Sequence, residues 1–344
     1  MEHLQQILRA PSVSASSALR PVRVDHEWGE LRECVYGWAG QFILPKFLRD
    51  AEVRANGDVA EMWRANQERD LAVASPAHYA EFRQHLDAAV QFLRNSGVLV
   101  HQPAPQTAQN LLFPRGENHG SATGWMRDPF VTIGNNVIEL APRSLLHRRQ
   151  RFAIRHILAA TMERGARYFA QPDGGAEDNE DDVEGFGYLE GGDIFVLGQT
   201  ILVGHSGNAS NAQGARWLQH VLGDGYGVEF VEIDPRVSHL DVLLMTPREG
   251  LAVACLEGFP HGLPAALRGW DVIDVPFSLA KYAVGVNHLV LNDRTVLIPA
   301  EPEHEMVAQA LRRRGFDTPR IPYRGVWQFG GSFRCAHQPL WRAS

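Results

Sequence analysis

Residues 188–204 read YLEGGDIFVLGQTILVG, in which two short apolar runs flank Gly198 and Gln199. Two apolar runs joined by a glycine-containing pair of residues are typical of a β-hairpin, because glycine adopts the backbone angles that tight turns require. Two apolar runs around a tight turn recur at 130–140 (FVTIGNNVIEL), 242–255 (VLLMTPREGLAVAC) and 288–299 (HLVLNDRTVLIP), the last with Asn-Asp as the turn residues. The sequence therefore predicts four hairpins, and ECVYG (33–37) is a degenerate opening strand.

A second pattern alternates with the hairpins, in which a helical tail is followed by glycine and then by a strand that ends near proline. Glycine is a common residue at the C-terminal end of a helix, and the alternating apolar residues after it indicate a strand. Its five copies are 92–103 (FLRNSGVLVHQP), 161–172 (TMERGARYFAQP), 221–235 (VLGDGYGVEFVEIDP), 266–276 (ALRGWDVIDVP) and 311–322 (LRRRGFDTPRIP). The chain is predicted to repeat hairpin, helix and strand about five times. Helical periodicity supports this prediction, because Tyr79, Phe82, Leu86, Val90 and Leu93 fall on one helix face after Ser75, a predicted N-cap.

This repetition predicts an α/β fold with pseudo-fivefold symmetry. Five like units cannot each bury a core alone, so we expect them to close around an axis with their loops meeting at the centre. The alternative is that β–α alternation is common and the repeat coincidental. We expect residues 21–344 to form a single domain and residues 1–20 to be a flexible N-terminal lead-in.

Composition narrows the classes of function. The chain has 344 residues, 33 Lys and Arg against 40 Asp and Glu, and a net charge of −7. Without a basic excess or a long apolar run, nucleic acid and membrane are not expected partners. Only three cysteines occur, and none forms a CxxC pair, which favours a reducing, cytoplasmic location and argues against a thiolate zinc site.

Polar residues occur just before the first strand of each hairpin, in the segments WMRDP, YLEGGD, VSHLD and VGVN. If the units are equivalent, these residues meet at one end of the axis. The residues that this brings together are Asp128, Glu190, Asp193, His239, Asp241 and Asn287. Two glycines between the acids of EGGD indicate close backbone approach. We rank a metal site low, because no second histidine lies at ligand spacing from His239.

Cys335 differs from the other two cysteines. Cys34 and Cys255 lie in apolar segments and are predicted to be core residues, whereas Cys335 is surrounded by two glycines, Arg334 and His337. Glycines give access, and neighbouring cations favour the thiolate. We therefore expect Cys335 to be a nucleophile.

Clustered carboxylates attract a planar cation with several N–H donors, and a guanidinium fits this description. A thiolate could attack its central carbon while a histidine protonates the departing amine and a carboxylate orients the histidine. Water or a second amine would then take the amidino group from sulfur.

The chain resembles the guanidino-group-modifying enzymes, the pentein superfamily, whose members have a five-bladed ββαβ propeller fold. The resemblance rests on DHEWGELRECVYG, MRDPFVTIGNNVIELAPRSLLHRRQRFAIR, YLEGGDIFVLG, SGNASNAQGARWLQHVLG, SHLDVLLMTPREGL and FGGSFRCAHQPLWR. The superfamily includes amidinotransferases, arginine deiminases and dimethylarginine hydrolases. The first, second and fourth of these stretches look most like amidinotransferases, whereas LEGGD and RCAHQPLWR look more like the deiminases.

The resemblance implies roles for individual residues. Cys335 would be the nucleophile, His239 the acid/base and Glu190 the carboxylate that orients His239. Asp128 and Asp241 would bind the guanidinium. Asp193 would support the substrate site, and Arg127 is a further candidate for binding substrate. No metal or other cofactor is implied.

Two departures leave the substrate carboxylate without an assigned partner. The arginine that deiminases carry after the EGGD hairpin is absent from HSGNASN, and the arginine that amidinotransferases carry after the HxD hairpin is absent from ACLEGFPHG. Arg148, Arg149 or Arg324 could substitute. A third departure is Arg334, because amidinotransferases usually place histidine before the nucleophile.

The predicted function is amidino transfer from L-arginine to an amine acceptor through an amidino-cysteine (thiouronium) intermediate, with release of ornithine. The alternatives are hydrolysis of the same intermediate to a citrulline-type product, and a non-catalytic guanidinium-binding protein. The expected partners are small molecules. The arginine-rich stretch 148–155 could pair subunits in a homo-oligomer, although a solvated helix face is the simpler interpretation.

Overall fold

The computed structural model describes residues 20–46, 57–113, 120–173 and 186–344. Residues 1–19 lie outside this range, so the flexible lead-in stays a prediction. The strands are, in chain order, β1 (Glu30–Tyr36), β2 (Leu99–His101), β3 (Phe130–Ile133), β4 (Asn136–Glu139), β5 (Arg167–Ala170), β6 (Ile194–Leu197), β7 (Thr200–His205), β8 (Gly227–Glu232), β9 (Leu244–Arg248), β10 (Leu251–Ala254), β11 (Asp271–Asp274), β12 (Leu289–Asn292), β13 (Thr295–Pro299), β14 (Arg320–Ile321) and β15 (His337–Ala343).

These strands form five three-stranded sheets with one repeated plan. In each sheet, two strands pair antiparallel and a third strand adds in parallel to the middle one. The sheets are β15–β1–β2, β3–β4–β5, β6–β7–β8, β11–β10–β9 and β12–β13–β14. The four predicted hairpins and the opening strand are therefore confirmed. The fifth antiparallel pair joins the two ends of the described chain.

The turns of two hairpins show why glycine recurs there. Gly134, between β3 and β4, has φ +56°, and Gly198, between β6 and β7, has φ +67°. A side chain is disfavoured in this left-handed region, so glycine permits two strands to be joined by two residues.

Helices connect the second and third strands of four units, and other helices lie between consecutive units. They are α1 (Gly57–Ala65), α2 (Leu71–Ala74), α3 (Pro76–Asn95), α4 (Ala108–Leu112), α5 (Leu145–Ala160), α6 (Ala212–Leu222), α7 (Phe277–Tyr282), α8 (Glu305–Arg312), α9 (Arg324–Trp327) and α10 (Phe333–Ala336). No described helix has the length and apolar content that crossing a membrane requires.

The longest of these helices, α3, shows the predicted apolar face. Ser75 lies at its N-cap position, and Phe82, Leu86, Val90 and Leu93 are buried along one side. Residues repeating every three or four positions lie on one face of a helix, so this side packs into the core.

One unit departs from the prediction. Between β10 and β11 the chain forms only short 3₁₀ turns, Leu256–Gly258 and Ala265–Leu267, where the sequence pattern predicted the end of an α-helix. The connecting segment contains Pro260 and Pro264. Proline lacks the backbone N–H that a helix interior uses, which explains why no α-helix forms here.

Candidate active site

The candidate site residues lie in the segments that lead into the first strands of four hairpins, as predicted. Two of these segments form single 3₁₀ turns, Gly191–Asp193 before β6 and Leu240–Val242 before β9. The six polar candidates are all at most 1% exposed: Asp128, Glu190, Asp193, His239, Asp241 and Asn287. Polar groups buried to this degree generally require hydrogen-bond or ion-pair partners.

His239 is held by Glu190. Its Nε2 lies 2.7 Å from Glu190 Oε2, while Glu190 Oε1 accepts a hydrogen bond of 3.0 Å from the backbone N–H of Ser144. A carboxylate at this distance orients an imidazole and stabilises its protonated form. The pair has the geometry that an oriented acid/base requires.

The two glycines of the EGGD segment permit close backbone approach. A Cβ on Gly191 would lie 2.0 Å from the carbonyl oxygen of Arg127, and a Cβ on Gly192 would lie 2.6 Å from His239 Nδ1. No Cβ tolerates such contacts, so both positions require glycine. The close approach predicted from the sequence is confirmed.

Asp128 lies between two imidazoles. Its Oδ1 accepts a hydrogen bond of 3.0 Å from the backbone N–H of Gly192 and is 3.8 Å from His239 Nε2. Its Oδ2 is 3.6 Å from His147 Nδ1. His147 immediately precedes the arginine-rich stretch of α5 and was missed by sequence reasoning, because a lone histidine among helix residues gives no signal.

Cys335 contacts Asp241 directly. The thiol Sγ lies 3.5 Å from Asp241 Oδ2, and the guanidinium Nη1 of Arg334 lies 3.1 Å from the same oxygen. Arg334 also donates from Nη2 to Glu27 Oε1 at 3.1 Å and stacks over the Phe195 ring at 3.9 Å. Burial lowers the pKa of Arg334, but Glu27 and Asp241 outweigh this and raise it above its usual value. Arg334 is therefore a permanent cation beside the thiol.

His337, the other predicted cation near the thiol, does not carry charge. It is fully buried, its Nδ1 donates to the Phe333 carbonyl at 2.9 Å, and burial together with Arg127 and Arg342 places its pKa well below the usual value. Of the two flanking residues, only Arg334 supplies positive charge to the thiol.

Asn287 joins residues 332–338, which contain the predicted nucleophile and are called the nucleophile segment, to the rest of the site. Its Oδ1 accepts from the backbone N–H groups of Ser332 and Cys335 at 3.1 and 3.0 Å, and its Nδ2 donates to the Asp241 carbonyl at 3.0 Å. One amide thus fixes the position of Cys335 relative to Asp241. The sequence placed Asn287 near the site but gave no indication of this role.

Asp193 joins the two 3₁₀ turns. Its Oδ1 accepts from the backbone N–H of Leu240 at 3.0 Å, and its Oδ2 accepts from that of Ser210 at 3.2 Å. Burial raises the pKa of Asp193 to about 6, although the His239 charge and these hydrogen bonds oppose the increase. Because Leu240 lies between His239 and Asp241, these contacts hold the whole His-x-Asp segment.

No family model matches the chain. It is 28% identical to the L-arginine:L-lysine amidinotransferase of Pseudomonas savastanoi pv. phaseolicola, an alignment that covers 92% of this chain and 93% of the relative. It is also 28% identical to a putative inosamine-phosphate amidinotransferase of Streptomyces griseus, over 91% and 94% of the two chains.

Solved structures agree with these relatives on the fold. An amidinotransferase of the saxitoxin biosynthetic pathway from Microseira wollei superimposes with a TM-score of 0.78, at 23% identity, over 94% of this chain and 98% of that one. The dimethylarginine hydrolase DDAH from Pseudomonas aeruginosa gives a TM-score of 0.60 at 16% identity, over 90% and 99%. Over more than 90% of its length the chain is therefore similar to amidinotransferases.

In this chain, the three arginines considered for the substrate carboxylate have other partners. Arg148 donates to the Pro142 carbonyl and to Asp173, and Arg149 donates to the carbonyls of residues 113 and 120. Arg324 pairs with Glu303 at the surface, 2.6 Å away. These contacts do not support any of the three as the carboxylate-binding residue.

The simpler interpretation, that the arginine-rich stretch of α5 forms a solvated helix face, is wrong for three of its arginines. Arg148, Arg149 and Arg151 are each at most 3% exposed. Their guanidinium groups bind backbone carbonyls and Asp173, which is the partner of both Arg148 and Arg151. Arginine tolerates burial when its donors are satisfied in this way.

Arg127 contacts the nucleophile segment. Its backbone N–H donates to the Cys335 carbonyl at 3.0 Å, its Nε to the Arg334 carbonyl at 3.2 Å, and its Nη1 to Gln338 Oε1 at 2.6 Å. These contacts give Arg127 a structural role beside Cys335, and its predicted contact with substrate stays a prediction.

Within the described residues, Asp128, His147 and Glu190 offer ligand atoms that lie within 4.8 Å of one another. Glu190 already holds Ser144 N–H and His239 with its two oxygens, and Asp128 Oδ1 accepts from Gly192. Protein donors already contact both Glu190 oxygens, so we interpret the cluster as a hydrogen-bonded acid/base group, and the low rank of a metal site stays a prediction.

The other two cysteines are buried in the core, and none of the three cysteines is in a disulfide bond. Burial raises the pKa of Cys34 to about 12 and also raises that of Cys255. A thiol that resists ionisation is a poor nucleophile, so neither competes with Cys335 for this role.

Proposed function

We propose that the protein transfers the amidino group of L-arginine to an amine acceptor through a covalent intermediate on Cys335, with release of ornithine. The observation that carries this proposal is the contact of the Cys335 thiol with Asp241, whose segment also contains the imidazole held by Glu190. These contacts support Cys335 as the nucleophile, Asp241 as the anion for the guanidinium and His239 as the acid/base group.

Asp128 and Asp241 bind the guanidinium of the donor in this proposal. Asp241 Oδ1 is buried and has no hydrogen-bond partner among the described residues. A buried carboxylate oxygen without a donor is costly, and a guanidinium N–H would satisfy it. The two carboxylates then hold the planar cation with its central carbon facing sulfur.

The first half-reaction forms a C–S bond and breaks a C–N bond. The Cys335 thiolate attacks the guanidinium carbon, and protonated His239 gives its proton to the nitrogen that leaves with ornithine. Glu190 stabilises the imidazolium before this transfer. The amidino group remains on sulfur as a thiouronium.

The second half-reaction reverses these steps with another amine. Neutral His239 accepts a proton from the incoming amine, the amine nitrogen bonds to the amidino carbon, and the C–S bond breaks to restore the thiolate. His239 is then protonated for the next cycle, so protons balance over one turnover. The amine acceptors in the relatives' names, lysine, inosamine phosphate and glycine, define the class to be tested.

Hydrolysis is the second candidate, because hydrolases such as DDAH share the fold. The burial of Cys335, which is 5% exposed, favours transfer, since a site that excludes water protects the intermediate until an amine arrives.

We also propose that the five sheets surround a common axis as a five-bladed propeller, which would bring the hairpin-entry segments together at the centre. The low cysteine count supports a reducing, cytoplasmic location.

The test is incubation of the purified protein with arginine alone, and then with arginine plus glycine, lysine or an aminocyclitol. We expect ornithine only when an acceptor is present. Cys335→Ser should abolish ornithine formation, whereas the matched core variant Cys255→Ser should retain it. Citrulline and ammonia from arginine alone would instead establish hydrolysis.

A further inference from the structure

A small cavity lies against the nucleophile segment, beside Arg334. Its volume is ≈ 10 Å³, which is about the space that one water molecule or one monatomic ion occupies. The polar side chains that line it include Glu27, Arg127, Thr246, Arg334, His337 and Arg342. The cavity thus belongs to the protein interior and is distinct from the guanidinium pocket proposed above.

The charges around the cavity do not balance. Three buried guanidinium groups, from Arg127, Arg334 and Arg342, line it together with one carboxylate, Glu27. Asp241 adds a second negative charge through its contact with Arg334. The two imidazoles of the lining, His288 and His337, are neutral, because burial places both pKa values well below the usual value. With the Cys335 thiol protonated, the group carries a net charge of +1.

Four donors of the lining side chains have no protein acceptor within the part of the chain that the structure describes. They are Arg127 Nη2, Arg334 Nε, Arg342 Nε and Thr246 Oγ1. The four side chains are between 1% and 4% exposed. A buried donor without an acceptor costs free energy comparable to a lost hydrogen bond, so a ligand that accepts from several of them at once is strongly favoured.

We propose that this cavity binds a monatomic anion, chloride under ordinary conditions. One negative charge neutralises the net charge of +1, and an anion accepts from all four donors without supplying a hydrogen. A water molecule accepts only two hydrogen bonds and must direct its own hydrogens at a cluster of cations. The lining also contains acceptors, namely the Glu27 carboxylate, His337 Nε2 and one ring nitrogen of the neutral His288, but the four donors and the net positive charge favour an anion over water.

The proposed anion would also affect the active site. Arg334 joins the cavity to Asp241 and Cys335, so a bound anion holds its guanidinium in the position that supports the carboxylate. This inference does not depend on amidino transfer, because ion binding and thermal stability can be measured without any substrate.

The first experiment compares melting temperatures in sodium chloride and sodium gluconate at equal ionic strength. Binding to the folded state alone should raise the melting temperature by about 2 °C at a tenfold excess of chloride over its dissociation constant. Thr246→Val removes one donor at constant shape and should weaken the chloride effect several-fold.

The matched control is Thr132→Val, because Thr132 Oγ1 on β3 is also buried without a partner, at 1% exposure, but does not line the cavity. This variant should keep the full chloride effect. Equal melting temperatures in the two salts, or equal losses in the two variants, would overturn the proposal.

The second experiment locates the ion directly. Crystals grown in sodium bromide should give an anomalous peak at the bromine edge between Arg127, Arg334, Arg342 and Thr246. Density for water without an anomalous signal at this position would contradict the proposal, whatever the melting curves show.

Discussion

Replacing Arg334 with methionine tests whether the charge network behind the nucleophile stabilises the protein. The substitution removes the cation from Asp241 and Glu27, two carboxylates that are 0% and 8% exposed, and removes the hydrogen bond of 2.9 Å to the Ile194 carbonyl. Breaking a buried ion pair on one side leaves an uncompensated charge and typically costs about 3–5 kcal/mol. The lost hydrogen bond adds about 1 kcal/mol. We therefore expect the variant to be less stable by about 4–6 kcal/mol.

The assay is equilibrium unfolding in urea, followed by fluorescence, with kcat/KM measured under native conditions. The matched control is Arg314→Met, which removes a surface ion pair to Asp271 of 2.6 Å, shorter than the 3.1 Å pairs of Arg334. Water replaces that partner, so the control should be close to wild type. Arg334→Met should also lower kcat/KM by about 100-fold, because Asp241 loses its position. If both variants unfold at the same urea concentration, the reasoning about buried charge is wrong.

Two further substitutions test the EGGD segment. Gly192→Ala would place a Cβ 2.6 Å from His239 Nδ1 and should lower kcat/KM about 100-fold by displacing the imidazole. The control Gly225→Ala should keep the wild-type kcat/KM, because its Cβ would meet no atom within 4 Å. Equal kcat/KM values for the two variants would show that Gly192 does not constrain the His239 ring. Asp193 has a pKa raised by burial from 3.8 to about 6, so the folded state binds the proton more tightly, and stability falls as pH rises from about 4 to about 6. Relative to Asp193→Asn, the wild type should lose about 3 kcal/mol of unfolding free energy across this interval; a constant difference between the two proteins would refute the raised pKa.

The sequence predicted those parts of the fold that depend on local chemistry. Glycine at positions 134 and 198 marked two hairpin turns, and the spacing of Phe82, Leu86, Val90 and Leu93 marked one helix face. The two glycines of EGGD indicated close approach because few other constraints require two adjacent residues without side chains.

The features that the sequence did not predict depend on contacts between distant segments. Asn287 contacts the segment that contains Asp241 and the segment that contains Cys335, and each contacted residue lies at least 45 positions from Asn287 along the chain. His147 approaches Asp128 only because α5 packs beside the EGGD segment. No local pattern distinguishes these residues from ordinary polar ones.

The buried arginines of α5 illustrate the same limit. A run of arginines usually indicates a solvated surface, and that prediction was wrong because Asp173 and several backbone carbonyls satisfy the guanidinium groups in the interior. The partners come from segments outside the run, so the composition of the run alone could not reveal its burial.

The measurement that tests the central claim most directly is mass spectrometry of the protein after rapid mixing with guanidino-labelled arginine in the absence of an acceptor. The account predicts one labelled amidino group per chain on the peptide that contains Cys335. Addition of an amine should discharge this label to the acceptor. A label on Cys34 or Cys255, or ornithine formation by Cys335→Ser at the wild-type rate, would contradict it.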